Sequence, residues 1–397
     1  AQLQEGLESI KKLPASSERD ARELELASTL AQVLLVTQGY TAPETRAAAE
    51  RARDLAEKGG NLARLILHEH GIWRSLFFSG DYSAGALLAE RILDLAKREG
   101  SPASFGFAYH AQLHVSFLRG DLAGGEEHFT RWSSFLNADG FRQVPGAAVA
   151  AISHASLCAA ALGRPDIARE RIAQAITFAR ESNNLYDLAV ARYFESRLSC
   201  WLREPQRAEV AASQALAIGE EHGFPFIRDV TRPMLGWARA QLGRAGEGVA
   251  LIRQGLAGLA EAGFRGSITV ALTLLAEAQA LDGKLDDALS TIEEALQANP
   301  EELYFRPETL RIRGYLRLEL GQAELAEADF REEIALAQKM TAKSFELRAT
   351  ASLARLLASQ GRRDEAREML AEIYNWFTEG FDTADLKDAK ALLDQLA

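Results

Sequence analysis

His110 and His114 stand four residues apart, a spacing that puts both imidazoles on one face of a helix and suits a metal ion. His68, Glu69 and His70 lie some forty residues earlier, but His68 and His70 would point to different helical faces and the order HExxH is absent. Packing or groove-lining explains these side chains better, and no metal site is expected. Cys158 and Cys200 are 42 residues apart with no CxxC anywhere. The chain has no Gly-x-x-x-x-Gly-Lys-Ser/Thr phosphate cradle and no Gly-x-Ser-x-Gly elbow. Gly243, Gly246 and Gly248 do not fit the dinucleotide fingerprint. Neither catalysis nor a cofactor is expected of this chain.

Composition narrows the classes further. The 397 residues are 47% apolar and 25% charged, enough to bury a core. Lysine and arginine number 45 against 56 acids, a net charge of −11 that speaks against a nucleic-acid partner, since phosphates need a basic face. Two cysteines make no disulfide framework, which points to a reducing, cytoplasmic setting. The opening AQLQEGLESI shows no signal peptide and no initiator Met, as expected of a piece cut from a larger protein. From Gln143 to Gly163 the chain lacks Lys, Arg, Asp and Glu, yet it is mostly alanine with Pro145, Ser153, His154 and Ser156. That stretch reads as a tightly packed internal helix, and no membrane association is expected.

The elements that position these residues repeat. Apolar helical runs end in turns at Gly39, Gly80, Gly120, Gly163, Arg203, Gly243, Gly283, Gly321 and Gly361, spaced 38 to 43 residues apart. Only the fifth lacks glycine, where Glu204-Pro205 supplies the break. Five residues past each turn from the second onward stands a small residue: Gly85, Gly125, Ala168, Ala208, Gly248, Ala288, Ala326 and Ala366. Twelve past, Ala175, Ala215, Gly255 and Ala295 repeat the theme. Small side chains in fixed phase mean two antiparallel helices in close approach. The pattern predicts helix pairs from 62–79 with 82–98 through 343–360 with 362–376, preceded by 18–37 with 42–58 and a stub over 1–13. Pro233 falls inside a predicted helix and should kink it or delay its start to about Thr231. Asp382 to Leu396 predicts a terminal amphipathic helix, capped by Asp382 or Thr383, with Leu386, Ala389, Leu392 and Leu393 as its buried stripe.

Small residues at these offsets from a turn glycine resemble the tetratricopeptide repeat (TPR). A further small position before the turn is kept as Ser156, Ser196, Gly236, Ala276, Gly314 and Ala354, but is lost at Trp73 and Leu113. The period of about 40 exceeds the usual ~34 residues, which implies longer helices. GLESIKKLPASSERDARELEL near the start, and KSFELRATASLARLL through WFTEGFDTADLKDAKALLDQLA at the end, are similar to the C-terminal half of large bacterial signalling proteins. In that family an adenylate/guanylate cyclase domain and a STAND-type ATPase precede a TPR-like solenoid. The expected fold is all-α: a TPR-like superhelix of about nine helix pairs with a C-terminal capping helix. Its parts are N-terminal helices and an irregular pair over 1–60, eight repeats over 61–376 and the cap over 377–397.

In a TPR-type array the first helix of each pair, helix A, lines the concave surface. Carrying that register through gives His70, Arg74, Phe77 and Phe78, then Phe107, His110, His114 and Phe117. Ser153, Leu157, Ala160 and Ala161 would form a smooth floor. Tyr193, Arg197, Trp201 and Trp237 follow, and later Glu277, Arg311, Tyr315, Arg348 and Arg355. Arg74, His110, His114, Tyr193, Arg197 and Trp237 are the candidate ligand-binding residues, arginines for an anionic group and aromatics for flat contact. The histidines would add pH sensitivity, favouring an anionic ligand below roughly pH 6.5. The alternative is that these side chains fill gaps between helices. The expected function is a non-catalytic sensor or scaffold arm that binds a protein segment or small ligand and regulates an upstream NTPase and nucleotide cyclase in cis. Two other readings are the ligand-binding arm of a STAND-type transcription activator and a purely structural assembly module.

Overall fold

A computed structural model describes residues 2–137, 139–142 and 144–397. Ala1 and Gln143, at the edges of two expected segments, lie outside the described residues. Among those residues the chain is helical throughout, with no strand. It runs α1 (Gln2–Lys11), α2 (Ser17–Gln38), α3 (Pro43–Lys58), α4 (Leu62–Phe78), α5 (Tyr82–Glu99), α6 (Pro102–Leu118), α7 (Leu122–Ser133) and α8 (Asp139–Arg142). Then come α9 (Ala147–Ala161), α10 (Pro165–Glu181), α11 (Leu185–Trp201), α12 (Pro205–Glu221), α13 (Pro225–Gln241), α14 (Ala245–Glu261) and α15 (Ile268–Leu281). The last are α16 (Leu285–Ala298), α17 (Arg306–Glu319), α18 (Ala323–Lys339), α19 (Lys343–Ser359), α20 (Arg363–Tyr374) and α21 (Ala384–Leu396). The architecture is a TPR-like superhelix closed by a C-terminal helix.

The turns behave as their spacing demands. All nine turn residues have positive φ, including Arg203 at 57°. From Gly80 onward each turn ends its helix with the same hydrogen-bond pair, as where Gly243 N–H donates to Ala240 O and Arg244 N–H to Arg239 O, while Gly39 N–H donates to Leu35 O. At the glycine-free turn Arg203 N–H donates to Cys200 O and Glu204 N–H to Ser199 O. The left-handed backbone satisfies carbonyls the helix end would otherwise orphan. An arginine tolerates it at a cost of roughly 1–2 kcal/mol. The phase-locked small residues are where helix pairs touch. Ala168, Ala208, Ala288, Ala326 and Ala366 are fully buried. A Cβ on Gly248 would lie 2.4 Å from the Gly236 carbonyl oxygen, so α13 and α14 meet backbone to backbone.

Three local expectations need correction. α13 starts at Pro225 and passes through Pro233 without a delayed start. Gly255 of α14 makes room for it: a Cβ there would lie 2.7 Å from Pro233 Cδ. α8 interrupts the pairing and buries Phe141 against Phe107 and Trp132, at ring separations of 5.1 and 5.7 Å. At the end of the chain Thr383 does occupy the cap position, but its hydroxyl donates to Gly380 O instead of capping α21. The stripe of α21 is Leu386, Ala389, Leu392 and Leu396, with Leu393 half-buried. All fifteen residues of α9 are buried, as expected of a packed internal helix. No helix among the described residues is long and apolar enough to cross a membrane.

The superhelix winds tightly enough for successive turns to touch. Arg265 and Gly266 N–H both donate to Phe78 O, and Leu303 N–H donates to Leu118 O at 2.8 Å. Ser344 Oγ donates to Ala160 O, 184 residues away. At ~40 residues per repeat, one superhelical turn takes roughly four and a half repeats. The C-terminal segment continues this seam. Phe377 and Trp376 pack on Gly163, Asp382 pairs with Arg169 at 3.0 Å, and Arg203 pairs with Asp385 and Asp388. α21 is therefore more than a lid on the last repeat.

Candidate functional site

Because the turns close on each other, the inner faces of the A helices border an axial bore with two sections. The first section is narrow. It is bordered by α4, α6, α9, α11, α13 and the Phe264–Ala271 segment, and its cavity is about 60 Å³. Arg74, His110, His114, Tyr193 and Arg197 all lie here, every one of them buried. The expected open groove is absent at these positions, and Ser153, Leu157, Ala160 and Ala161 are buried as well.

Two arginines hold this section together. Arg74 donates to Pro145 O at 3.1 Å and to the Tyr40 hydroxyl, which also accepts from Tyr186 at 2.9 Å. Arg197 donates to the Tyr304 hydroxyl at 2.5 Å, joining α11 to the loop before α17, 107 residues later. Tyr304 in turn stacks on Phe117 at 4.4 Å and donates to Ser267 Oγ. Between the arginines runs a histidine chain. His70 Nε2 and His110 Nδ1 are 3.0 Å apart, while His114 stacks on Phe77 at 4.1 Å and against His154 at 3.6 Å.

Burial sets the charge states. It lowers His154 to about 3 and His68 to about 4, and pushes His70, His110 and His114 well below their ordinary value. The expectation that these histidines protonate near pH 6.5 is overturned, because a dry interior disfavours imidazolium. Burial likewise raises Glu302 to about 7, beside Tyr304 and Thr269. Several polar atoms here have no partner: His110 Nε2, both nitrogens of His114, Ser153 Oγ and Arg197 Nε. Among the described residues no cluster of His, Cys, Asp or Glu gathers to hold a metal ion.

The second section is open, with a cavity of about 460 Å³. Its apolar wall comprises Trp201, Trp237, Leu274 and Phe305, and Trp237 Nε1 donates to Glu277 Oε2 at 2.8 Å. Glu277, Arg311, Tyr315, Arg348 and Arg355 all line it, at the positions the helical register gives. Trp237 is thus the one candidate ligand residue on the wall of this larger cavity. Glu308 lies at its base, gripped by Arg311 at 2.7 and 3.0 Å and by Arg348 at 3.0 Å. Burial alone would raise the Glu308 pKa, but the two guanidinium groups overcome it and hold the carboxyl down to about 2. Arg348 also reaches Asp385 at 2.6 Å and the Trp201 carbonyl at 2.6 Å. The wall therefore draws on both sides of the seam: Trp201, Arg203 and Pro205 from one turn, Arg348, Asp385 and Asp388 from the next.

Sequence reasoning missed Tyr40, Glu302, Tyr304 and Phe264, because they sit in connections outside the helical register, Tyr40 in the turn of the first pair and the others before A helices. The one available signal was an aromatic in an otherwise polar connection.

No family model matches the sequence, and no curated protein is similar to it. Among solved structures, the chain is similar to a Rap protein complexed with competence and sporulation factor. The identity is 12%, covering 96% of this chain and 100% of that one, at a TM-score of 0.61. It is also similar to the apo form of the quorum sensor NprR from B. thuringiensis, at 12% identity over 91% and 99% of the two chains and a TM-score of 0.51. A STAND protein with a tetratricopeptide repeat sensor from Pyrococcus horikoshii matches at 14% identity over 96% of this chain and 54% of that one, TM-score 0.49. At such identities the likeness shows the fold, a TPR-like helical repeat.

Proposed function

We propose that this chain is a non-catalytic sensor arm whose bore takes a protein segment or small ligand and whose output is the closure of one superhelical turn on the next. The observation that carries this reading is the composition of the open section. Its wall follows one turn of the superhelix and meets itself at the seam, with Trp201, Arg203 and Pro205 on one side and Arg348, Asp385 and Asp388 on the other. An occupant touching both sides binds the closed form better than an open one, and so shifts the population without any chemistry. The likeness to a quorum sensor and to a Rap protein bound to its factor supports the same reading.

In this proposal Trp237 meets the ligand in the open section. Arg74, His110, His114, Tyr193 and Arg197 set the closed state, and a ligand reaches them only where the turns part. The regulated partner, on the resemblance of the terminal segments, is an upstream STAND-type ATPase and nucleotide cyclase in cis. The test is a screen of short peptides and small metabolites against the chain, followed by Tyr315→Ala. Tyr315 is 42% exposed, so its truncation should leave the melting temperature unchanged while weakening a bore-bound ligand at least tenfold. Binding indifferent to Tyr315→Ala, or no binder at all, would overturn the proposal.

A further inference from the structure

Ion pairing in the open section leaves one arginine without a partner. Both Glu308 oxygens are engaged by Arg311 and Arg348. Asp385 is shared by Arg348 and Arg203, and Asp388 pairs with Arg203 at 2.7 Å. Glu277 accepts from Trp237, and burial raises its pKa, which leans it toward the neutral form. Every acid on the wall is thus already satisfied. Three of its four arginines are satisfied too. Arg355 is exposed and has no ion pair or hydrogen bond among the described residues, and the Tyr315 hydroxyl has no hydrogen-bond partner there.

Helical spacing puts Arg355 two turns beyond Arg348, and Tyr315 one turn beyond Arg311, on the bore faces of α19 and α17. The unspent groups are therefore donors, in a chain whose net charge of −11 otherwise repels anions. A cation entering here would find Glu308, Asp385 and Asp388 already ion-paired and Glu277 bonded to Trp237. A phosphate dianion would keep one of its two charges uncompensated at the single free guanidinium. One guanidinium fork matches one carboxylate, which it can hold through two parallel hydrogen bonds. Beside it, Trp237, Trp201, Leu274 and Leu281 offer an apolar wall. The volume of about 460 Å³ falls in the range of small-ligand pockets, roughly 300–1,000 Å³, too small for a whole helix or a folded partner.

We infer that the open section is a carboxylate-binding subsite, with Arg355 as the anion anchor and Tyr315 as second donor, and that its ligand is a carboxylate carrying an apolar body. Such a group is offered either by the C-terminal end of a peptide or by a free aromatic acid. The inference deepens the proposed sensor function and rests on the same bore.

Isothermal titration of the full chain with three probes tests it: a pentapeptide ending in Leu-Phe with a free carboxyl end, the same peptide amidated, and 3-phenylpropanoate. The free-acid peptide, the aromatic acid or both should bind, and which of them does so identifies the source. The amidated peptide should bind at least tenfold more weakly than its free acid. Arg355→Gln should cost the free acids at least tenfold, leave the amide unaffected and leave the melting temperature unchanged. Equal affinity for acid and amide, free-acid binding indifferent to Arg355→Gln, or no binding by any probe would overturn the inference. A ligand from the broader screen that responds to Tyr315→Ala but not to Arg355→Gln would leave the sensor reading standing and remove this subsite alone.

Discussion

Replacing His114 with phenylalanine isolates one titrating group of the narrow section of the bore. His114 is stacked on Phe77 at 4.1 Å, fully buried, with neither ring nitrogen hydrogen-bonded. Burial pushes its folded pKa well below 6.5, with the neighbouring His154 adding to the shift. The neutral form is therefore kept on folding, while the unfolded chain takes up a proton as pH falls through 6.5. Stability present above pH 6.5 is lost progressively below it. Between pH 7.5 and 5.5 one such histidine removes about 1.4 kcal/mol. Six histidines shift the same way, with His68, His70, His110, His128 and His154 beside His114. Glu302, raised to about 7, and Asp187, raised to about 6, titrate in the opposite sense and offset part of the total. The difference between two chains that share those acids is cleaner than the total. Urea unfolding at pH 7.5 and 5.5 should show that His114→Phe loses about 1.4 kcal/mol less than the parent on acidification. An identical loss in both chains would mean that His114 is solvated, and that the narrow section is open to water.

Other perturbations test other parts of the fold. Glu308→Gln should cost roughly 3 kcal/mol at pH 7, as a carboxyl moved from 4.5 to about 2 implies. That stability is present above pH 4.5 and vanishes as pH falls to about 2, so thermal melts of variant and parent should converge by pH 2 to 3. Ala168→Leu and Ala288→Leu should each cost roughly 1–3 kcal/mol by overpacking a helix pair, whereas Ala298→Leu, exposed at the end of α16, should cost little; equal melting temperatures for all three would refute the packing phase. Ending the chain before Asp382 removes the partners of Arg169, Arg203 and Arg348 and bares Leu370 and Ile373. The truncated chain should aggregate on size-exclusion chromatography, and a monomer of unchanged stability would make α21 a mere appendage.

Much of the fold was legible because it is local. A glycine that must leave a helix, and a small residue one turn and a half later, mark each helix pair within forty residues of chain, and even Arg203 obeys the pattern at φ 57°. The register of the A helices was legible on the same ground, which is why Glu277, Arg311, Tyr315, Arg348 and Arg355 fall on one wall. Closure was not legible. It depends on Phe78 meeting Gly266, Leu118 meeting Leu303 and Ala160 meeting Ser344, contacts set by the accumulated twist of more than four repeats. No short-range pattern encodes that sum, so an inner face read as an open groove turns out to be buried and narrow over its first half. The acids that pair with Arg203 were hidden for a related reason. Asp385 belongs to α21 and serves Arg203 from 182 residues away.

Amide hydrogen exchange at Leu303 tests ligand-driven closure most directly. Its N–H donates across the seam to Leu118 O, next to Phe305 and Glu308 on the wall of the open bore. A ligand that bridges the seam and is lost on opening stabilises the closed form by about 2.7 kcal/mol at 100 times its Kd. Exchange at Leu303 should then slow about a hundredfold in the saturated protein, with amides on the outer B helices little changed. Unaltered exchange at Leu303 in fully liganded protein would contradict closure as the signal.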